Sequence, residues 1–274
     1  MSQLIHIGKL TLGEGRPLFL IAGPCVIESR EHVTFMASEL KKITSEAGIS
    51  FIFKASFDKA NRSSIKSFRG IGINEGLKIL GDIREKLKVP VLSDVHEPSQ
   101  CKPAGEVLDV LQIPAFLSRQ TDLLVAAAQT GKIVNVKKGQ FLAPWEMKNV
   151  VDKVHEVGNR QVILTERGAS FGYNNLVVDF RSFPIMQSFG CPVVFDVTHS
   201  LQLPGAQGQS SGGQPQYIPH FARAGVAAGV NGLFMEVHDE PSKALSDGPN
   251  ALRLSLLPSL LEEVIKIRRC LKKT

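Results

Sequence analysis

Tryptophan occurs once and tyrosine twice in 274 residues. That is too few for the aromatic platform on which a nucleic-acid-binding surface stacks bases. The four cysteines (Cys25, Cys101, Cys191 and Cys270) are widely spaced and form no Cys-x-x-Cys, so free thiols are expected rather than a disulfide framework. No apolar run approaches the roughly 20 residues needed to cross a bilayer, so no membrane span is expected. Ser/Gly linkers, low-complexity tracts and shifts of composition are also missing, which argues against a second domain. The start of the chain, Met1–His6, lacks the basic and apolar regions of a signal peptide, and the expectation is a cytoplasmic protein. The Asn61-Arg62-Ser63 triplet then has no meaning as a glycosylation site.

Apolar residues make up 43% and charged residues 21%, ordinary values for a globular chain, and the net charge is +6. The excess of positive charge is not laid along one helix as a nucleic-acid stripe would be. Lys54, Lys59, Arg62, Arg69, Arg119, Lys137, Lys138 and Arg167 fall at or just after short apolar runs. Cations gathered in this way suit small anions, and no nucleic-acid partner is expected.

Those runs carry the fold. Eight times a short, β-branched, apolar stretch stops abruptly in polar residues: at Gly23-Pro24-Cys25, Lys54-Ala55-Ser56, Ser93-Asp94, Gln112-Ile113-Pro114-Ala115, Lys137-Lys138-Gly139, Thr165-Glu166-Arg167, Asp196-Val197-Thr198-His199 and Glu236-Val237-His238. Each has the length of a strand buried on both faces, and most are followed by helical periodicity. Strands are expected near 18–22, 50–54, 89–93, 108–112, 132–136, 160–165, 192–196 and 230–236. Helices are expected near 31–46, 73–87, 98–105, 119–130, 146–157, 179–189, 217–228 and 254–271, the first opened by Ser29 and closed by Gly48. Eight such units closing on themselves make a single α/β domain, a (β/α)₈ TIM barrel, whose C-terminal strand ends meet at one mouth. Residues 4–12 alternate and precede a Gly13-Glu14-Gly15 turn, so residues 1–17 are expected to form a β-hairpin that plugs the bottom of the barrel, with 18–274 as the barrel.

Two connections are too long to be simple links. Residues 56–72 hold a dense set of cations and hydroxyls directly after a strand, which is what a phosphate requires. Residues 200–216 are glycine-rich and read as a mobile lid or binding loop. Gly70-x-Gly72 is no dinucleotide fingerprint, because it follows a loop rather than a strand.

Lys54–Gly70, Gln112–Phe116, Asn135–Phe141, Thr165–Gly168, Phe171–Asp179 and Asp196–Ser200 closely resemble the 3-deoxy-D-manno-octulosonate 8-phosphate synthase family, over nearly the whole chain. The resemblance implies an enzyme that condenses phosphoenolpyruvate with D-arabinose 5-phosphate and water, releasing phosphate, on the route to the lipopolysaccharide core. A related family using erythrose 4-phosphate shares the barrel and part of the site. That alternative stays open, as does a non-catalytic phospho-sugar-binding barrel.

Carried over by the same resemblance, Lys54, Ser56, Lys59 and Gln140 would hold the phosphoenolpyruvate carboxylate end. Lys137, Arg167 and the backbone at Ala115 would hold its phosphate. Asn61 and Asp94 would bind the sugar hydroxyls, and Arg62 and Ser63 the sugar phosphate. Arg119 would come from a neighbouring subunit of a homotetramer. A fourth group, Cys25, His199, Glu236 and Asp247, lies at three strand ends and in the last loop. Thiolate, imidazole and carboxylates suit a borderline divalent ion such as zinc, iron(II) or manganese. Taken alone, a cysteine beside Pro24 reads as a small buried hydrophobe. Metal-independent members of the family carry Asn at the position of Cys25 and tend to carry Cys at that of Ser246. The residues present here therefore imply the metal-dependent class, with Cys25, Lys54, Asp94, His199 and Asp247 as the catalytic set.

Overall fold

The computed structural model describes residues 3–62, 64–205 and 212–271. Eight parallel strands close into a barrel: β3 (Phe19–Gly23), β4 (Ser50–Lys54), β5 (Val91–Asp94), β6 (Val110–Ile113), β7 (Ile133–Lys137), β8 (Val162–Glu166), β11 (Val193–Asp196) and β14 (Gly232–His238). Each pairs with the next, β14 pairs with β3, and β11 pairs with β14, so the ring has no free edge. Helices α1 (Arg30–Ala47), α2 (Ile73–Leu87), α3 (Pro98–Val107), α4 (Thr121–Gln129), α5 (Met147–Glu156), α6 (Ser182–Gln187), α7 (Ile218–Ala227) and α8 (Leu257–Cys270) surround it. Helix α1 shows why the pattern folds. Ser29 accepts the His32 N–H, Val33, Met36, Ala37, Leu40 and Thr44 are the buried stripe, and Gly48 closes the helix at φ 69°.

Before the barrel, β1 (Ile5–Ile7) and β2 (Leu10–Leu12) form the expected hairpin, with Ile5 opposite Leu12. Ile5, Ile7 and Leu12 pack in one cluster with Phe19, Ile21, Ile52, Leu92, Val110, Ile133, Ile163, Val194 and Phe234, so the hairpin closes the barrel interior. A second, larger core lies between the strands and the helices.

Several boundaries differ from the pattern-based ones. The strands begin at 91, 110, 162 and 232 instead of 89, 108, 160 and 230. Pro90 has no N–H to pair. The Leu108 N–H still serves α3, bonding Ala104 O, and the Val230 N–H is spent on Gly225 O. Helix α6 covers only Ser182–Gln187 of the expected 179–189, because the Asp179 side chain accepts the Arg181 N–H in a turn before it. Helix α8 begins at 257, after a tight turn at Leu254–Leu256. The short strands β9 (Ala169–Ser170), β10 (Leu176–Val177), β12 (Gln202–Leu203), β13 (Gly212–Gly213) and β15 (Leu252–Arg253) are too short for any alternation to announce them. The expected lid is thus partly a two-stranded pairing, β12 with β13, and its glycine-rich centre at 206–211 lies outside the described residues. No helix among the described residues is long and apolar enough to cross a membrane.

Candidate active site

Side chains along a strand alternate between its two faces. Stepping two residues from the inner-core positions leads from Ile52 to Lys54, Leu92 to Asp94, Val110 to Gln112, Ile133 to Asn135 and on to Lys137, Ile163 to Thr165, Val194 to Asp196, and Phe234 to Glu236. The same period that fills the bottom of the barrel with hydrocarbon therefore aims a ring of polar groups inward at the top. All of them are buried. They lie beneath and around a cavity of about 250 Å³, whose walls include Lys59, Arg62, Asp94, Lys137, Arg167 and Asp247.

Burying so many charges is tolerable only because they pair. Lys54 Nζ donates to Glu236 Oε1 at 2.8 Å and to the Cys25 carbonyl at 2.7 Å. Lys59 Nζ lies 3.4 Å from Asp94 Oδ2 and 3.8 Å from Glu236 Oε1. Lys137 Nζ donates to Asp196 Oδ2 at 2.7 Å and stands 3.8 Å over the Phe234 ring. Burial would raise the Asp94, Asp196 and Glu236 carboxyls, but the surrounding cations outweigh it and hold all three well below the usual range. Burial also works against the charge of Lys59, yet Cys25, Asp94, Glu236 and Asp247 around it push its pKa up. Lys137 and Arg167 are lowered, chiefly by burial.

Gly23 permits the tightest approach. A Cβ there would fall 1.8 Å from the Lys54 carbonyl oxygen, so only glycine lets the end of β3 carry Pro24 and Cys25 across to the Lys54 ammonium.

The sequence-derived candidates divide into several groups. Lys59, Asn61, Arg62, Asp94, Ala115, Lys137, Gln140, Arg167, His199 and Asp247 line the cavity. Gln140 Oε1 is buried with no hydrogen-bond partner. Lys54, Ser56 and Glu236 are fully buried below the cavity, with Ser56 Oγ donating to Asp94 Oδ2 at 2.6 Å. Arg119 is exposed and outside its own chain's cavity, and Ser63 lies outside the described residues.

Arg62 is turned toward the acidic group. Its Nη1 donates to Asp247 Oδ1 at 3.1 Å, and Nη2 is 3.8 Å from Cys25 Sγ. Cys25 Sγ is 2.7 Å from Ser246 Oγ and 3.3 Å from Asp247 Oδ2. Burial first, then Glu236, pushes the Cys25 thiol up to about 12. Cys25, Glu236 and Asp247 offer ligand atoms that all lie within 4.8 Å of one another, and His199 Nε2 stands 3.6 Å from Glu236 Oε1.

Two residues were given no role from sequence. Asp196 Oδ2 lies 2.8 Å from His199 Nδ1, and Asp196 Oδ1 accepts the His199 backbone N–H, so the carboxylate stands beside the imidazole. His96, two residues past Asp94, lines the cavity, and burial lowers its pKa and so favours the neutral ring. Only its place just beyond a strand end could have signalled it.

Two other features lie outside this cavity. Glu28, His32 and His238 also cluster, with His238 Nδ1 accepting the Glu240 N–H and standing 2.9 Å from Asp239 Oδ1. A larger hollow of about 1010 Å³ opens beside the hairpin and α8, where the Arg268 guanidinium is spent on the carbonyls of Arg16 and Val230.

Cations and carboxylates brought to one barrel mouth define a phosphate-handling enzyme of the (β/α)₈ class. Residues 3–273 match the DAHP synthetase I family. The chain is 62% identical over 267 residues to 2-dehydro-3-deoxyphosphooctonate aldolase of Geobacter sp. (strain M21), covering 97% of this chain and 98% of that one. It is 62% identical over 264 residues to the enzyme of that name from Citrifermentans bemidjiense, covering 96% and 97%. It is 59% identical over 272 residues to that of Geobacter metallireducens, covering 99% and 100%. The chain belongs to the DAHP synthetase I family, and within it to the 3-deoxy-D-manno-octulosonate 8-phosphate synthases, also called 2-dehydro-3-deoxyphosphooctonate aldolases.

Proposed function

We propose that this chain condenses phosphoenolpyruvate with D-arabinose 5-phosphate and water to give 3-deoxy-D-manno-octulosonate 8-phosphate and inorganic phosphate, a step of lipopolysaccharide core biosynthesis. The observation that carries the reading is the convergence of Lys59, Arg62, Lys137 and Arg167 on one small cavity, where their N–H groups can donate to phosphate oxygens.

Lys137, Arg167 and the Ala115 N–H receive the phosphoenolpyruvate phosphate, and Lys54, Lys59, Ser56 and Gln140 its carboxylate end. Asn61 and Asp94 take the sugar hydroxyls. Arg62 and Ser63, with Arg119 of a neighbouring subunit in a homotetramer, take the sugar phosphate. Carbon 3 of phosphoenolpyruvate attacks the aldehyde carbon. Water adds at carbon 2, and the tetrahedral centre expels phosphate by breaking its C–O bond. Lys137 and Arg167 stabilise the charge that develops on the leaving phosphate.

The residues present suit a divalent ion (zinc, iron(II) or manganese) held by Cys25, His199, Glu236 and Asp247. Support comes from the tight grouping of three of these and from Glu236 Oε2, which is buried without a hydrogen-bond partner. When bound, the ion supplies positive charge that orients the sugar aldehyde and a water. Asp196 holds the His199 ring, as carboxylates commonly do for ligating histidines. Both substrates are soluble phosphates, and the reading places the protein in the cytoplasm.

The test is inorganic phosphate release from phosphoenolpyruvate with D-arabinose 5-phosphate or erythrose 4-phosphate, before and after dialysis against a chelator. Phosphate release that requires arabinose 5-phosphate is expected, lost on chelation and restored by a divalent ion. No release with either sugar would overturn the activity. Full activity after chelation would overturn the metal.

A further inference from the structure

Asp94 ends a chain of hydrogen bonds that crosses four strands of the barrel interior. Thr165 Oγ1 on β8 donates to Asn135 Oδ1 on β7 at 2.7 Å. Asn135 Nδ2 donates to Gln112 Oε1 on β6 at 2.8 Å, and Gln112 Nε2 donates to Asp94 Oδ1 on β5. Asp94, Gln112 and Asn135 are direct neighbours in register. Asn135 and Thr165 are fully buried, and neither lines the cavity.

The chain has only one consistent polarity. A carboxylate accepts and never donates, so Gln112 must turn its NH₂ to Asp94 and its oxygen to Asn135. Asn135 must then present NH₂ to Gln112 and its oxygen to Thr165, whose hydroxyl must donate. An apolar side chain at 165 removes the last donor. Asn135 Oδ1 is then a buried acceptor with nothing to accept, and inverting both amides would only replace it with an unpartnered Asn135 Nδ2 while turning Gln112 Oε1 onto the Asp94 carboxylate.

We propose that Thr165 and Asn135 are positioning residues for Asp94. From two and three strands away they hold the Gln112 amide with its N–H face on the carboxylate, and so set the orientation in which Asp94 meets the sugar. The inference rests on the reading of Asp94 as a sugar-binding group.

Steady-state kinetics of the holoenzyme with both substrates test it, on Thr165→Val, Thr165→Ser and Asp94→Asn, with thermal unfolding as the separate measure of folding. For Thr165→Val, kcat/KM for D-arabinose 5-phosphate should fall on the order of tenfold while KM for phosphoenolpyruvate stays within about twofold. Thr165→Ser, which restores the donor, should recover to within about twofold of the parent. If Thr165→Val does not fold, Thr165→Cys, similar in size and a weak donor, carries the same comparison. Equal changes for both substrates, or no advantage of Ser over Val, overturns the positioning role. Parental kinetics in Thr165→Val beside a damaged Asp94→Asn also overturns it, while leaving the reading of Asp94 intact. Parental sugar kinetics in Asp94→Asn removes that reading, and this inference with it.

Discussion

Lys54 Nζ lies 2.8 Å from Glu236 Oε1, and neither side chain is exposed to solvent. The two residues are 182 positions apart in the chain and are brought together by the closure of β14 against β3, which pairs in turn with β4. Removing one partner strands the other charge, which costs about 3–5 kcal/mol in a buried pair. Lys59 and His199 remain near Glu236 and soften the loss. Lys54→Met is expected to cost about 3 kcal/mol, read as a lower urea midpoint. An unchanged midpoint would mean that the pair contributes nothing to the fold.

The Cys25 thiol is pushed up to about 12, first by burial and then by Glu236, so without an ion it is protonated at neutral pH. Metal ligation needs the thiolate and must release that proton. Between about pH 7 and 9, zinc affinity should rise about tenfold per pH unit, measured by competition with a chromophoric chelator. Cys25→Ser should flatten this slope. A flat profile in the parent protein removes Cys25 from the ligand set.

Under the proposed ligand set Arg62 and a divalent ion would compete for the same partners, because Arg62 bonds Asp247 and approaches Cys25. Arg62→Ala should therefore bind zinc more tightly while its KM for D-arabinose 5-phosphate rises about tenfold, having lost a phosphate contact. Unchanged zinc affinity would show that the contact in the ion-free state is energetically idle.

Burial would raise Asp196, but His199 and Lys137 hold it well below the usual carboxylate range. A carboxyl lowered in the folded state contributes stability above its unfolded pKa of about 4, lost as pH falls through the lower, folded value. The urea midpoint should decline steadily as the pH is lowered from about 5 to about 2, and Asp196→Asn should flatten that decline by on the order of 2 kcal/mol. A variant with the parental acid profile would exclude Asp196 from it.

The barrel was legible in sequence because its signal is local. A buried strand must be apolar, its abrupt polar end marks the mouth, and the helix that follows repeats every 3.6 residues. The cluster at 56–72 was legible for the same reason, since its charges are adjacent. Strand starts at 91, 110 and 232 were not, because they turn on Pro90 and on where the Leu108 and Val230 N–H groups go. Nothing local announces that Thr165, Asn135 and Gln112 form one chain, or that Arg62 faces Asp247.

Residue order alone settles the alternation along each strand, and with it which side chains point into the barrel: Lys54, Asp94, Lys137, Asp196 and Glu236 follow inner-core residues at a spacing of two. Closure of the ring decides which of them meet. Contacts such as Lys54 with Glu236 and Lys137 with Asp196 join strands that have one other strand between them in the ring. Their energies depend on burial and on distances between atoms, and for Lys54 with Glu236 those quantities exist only once the eighth strand has paired with the first.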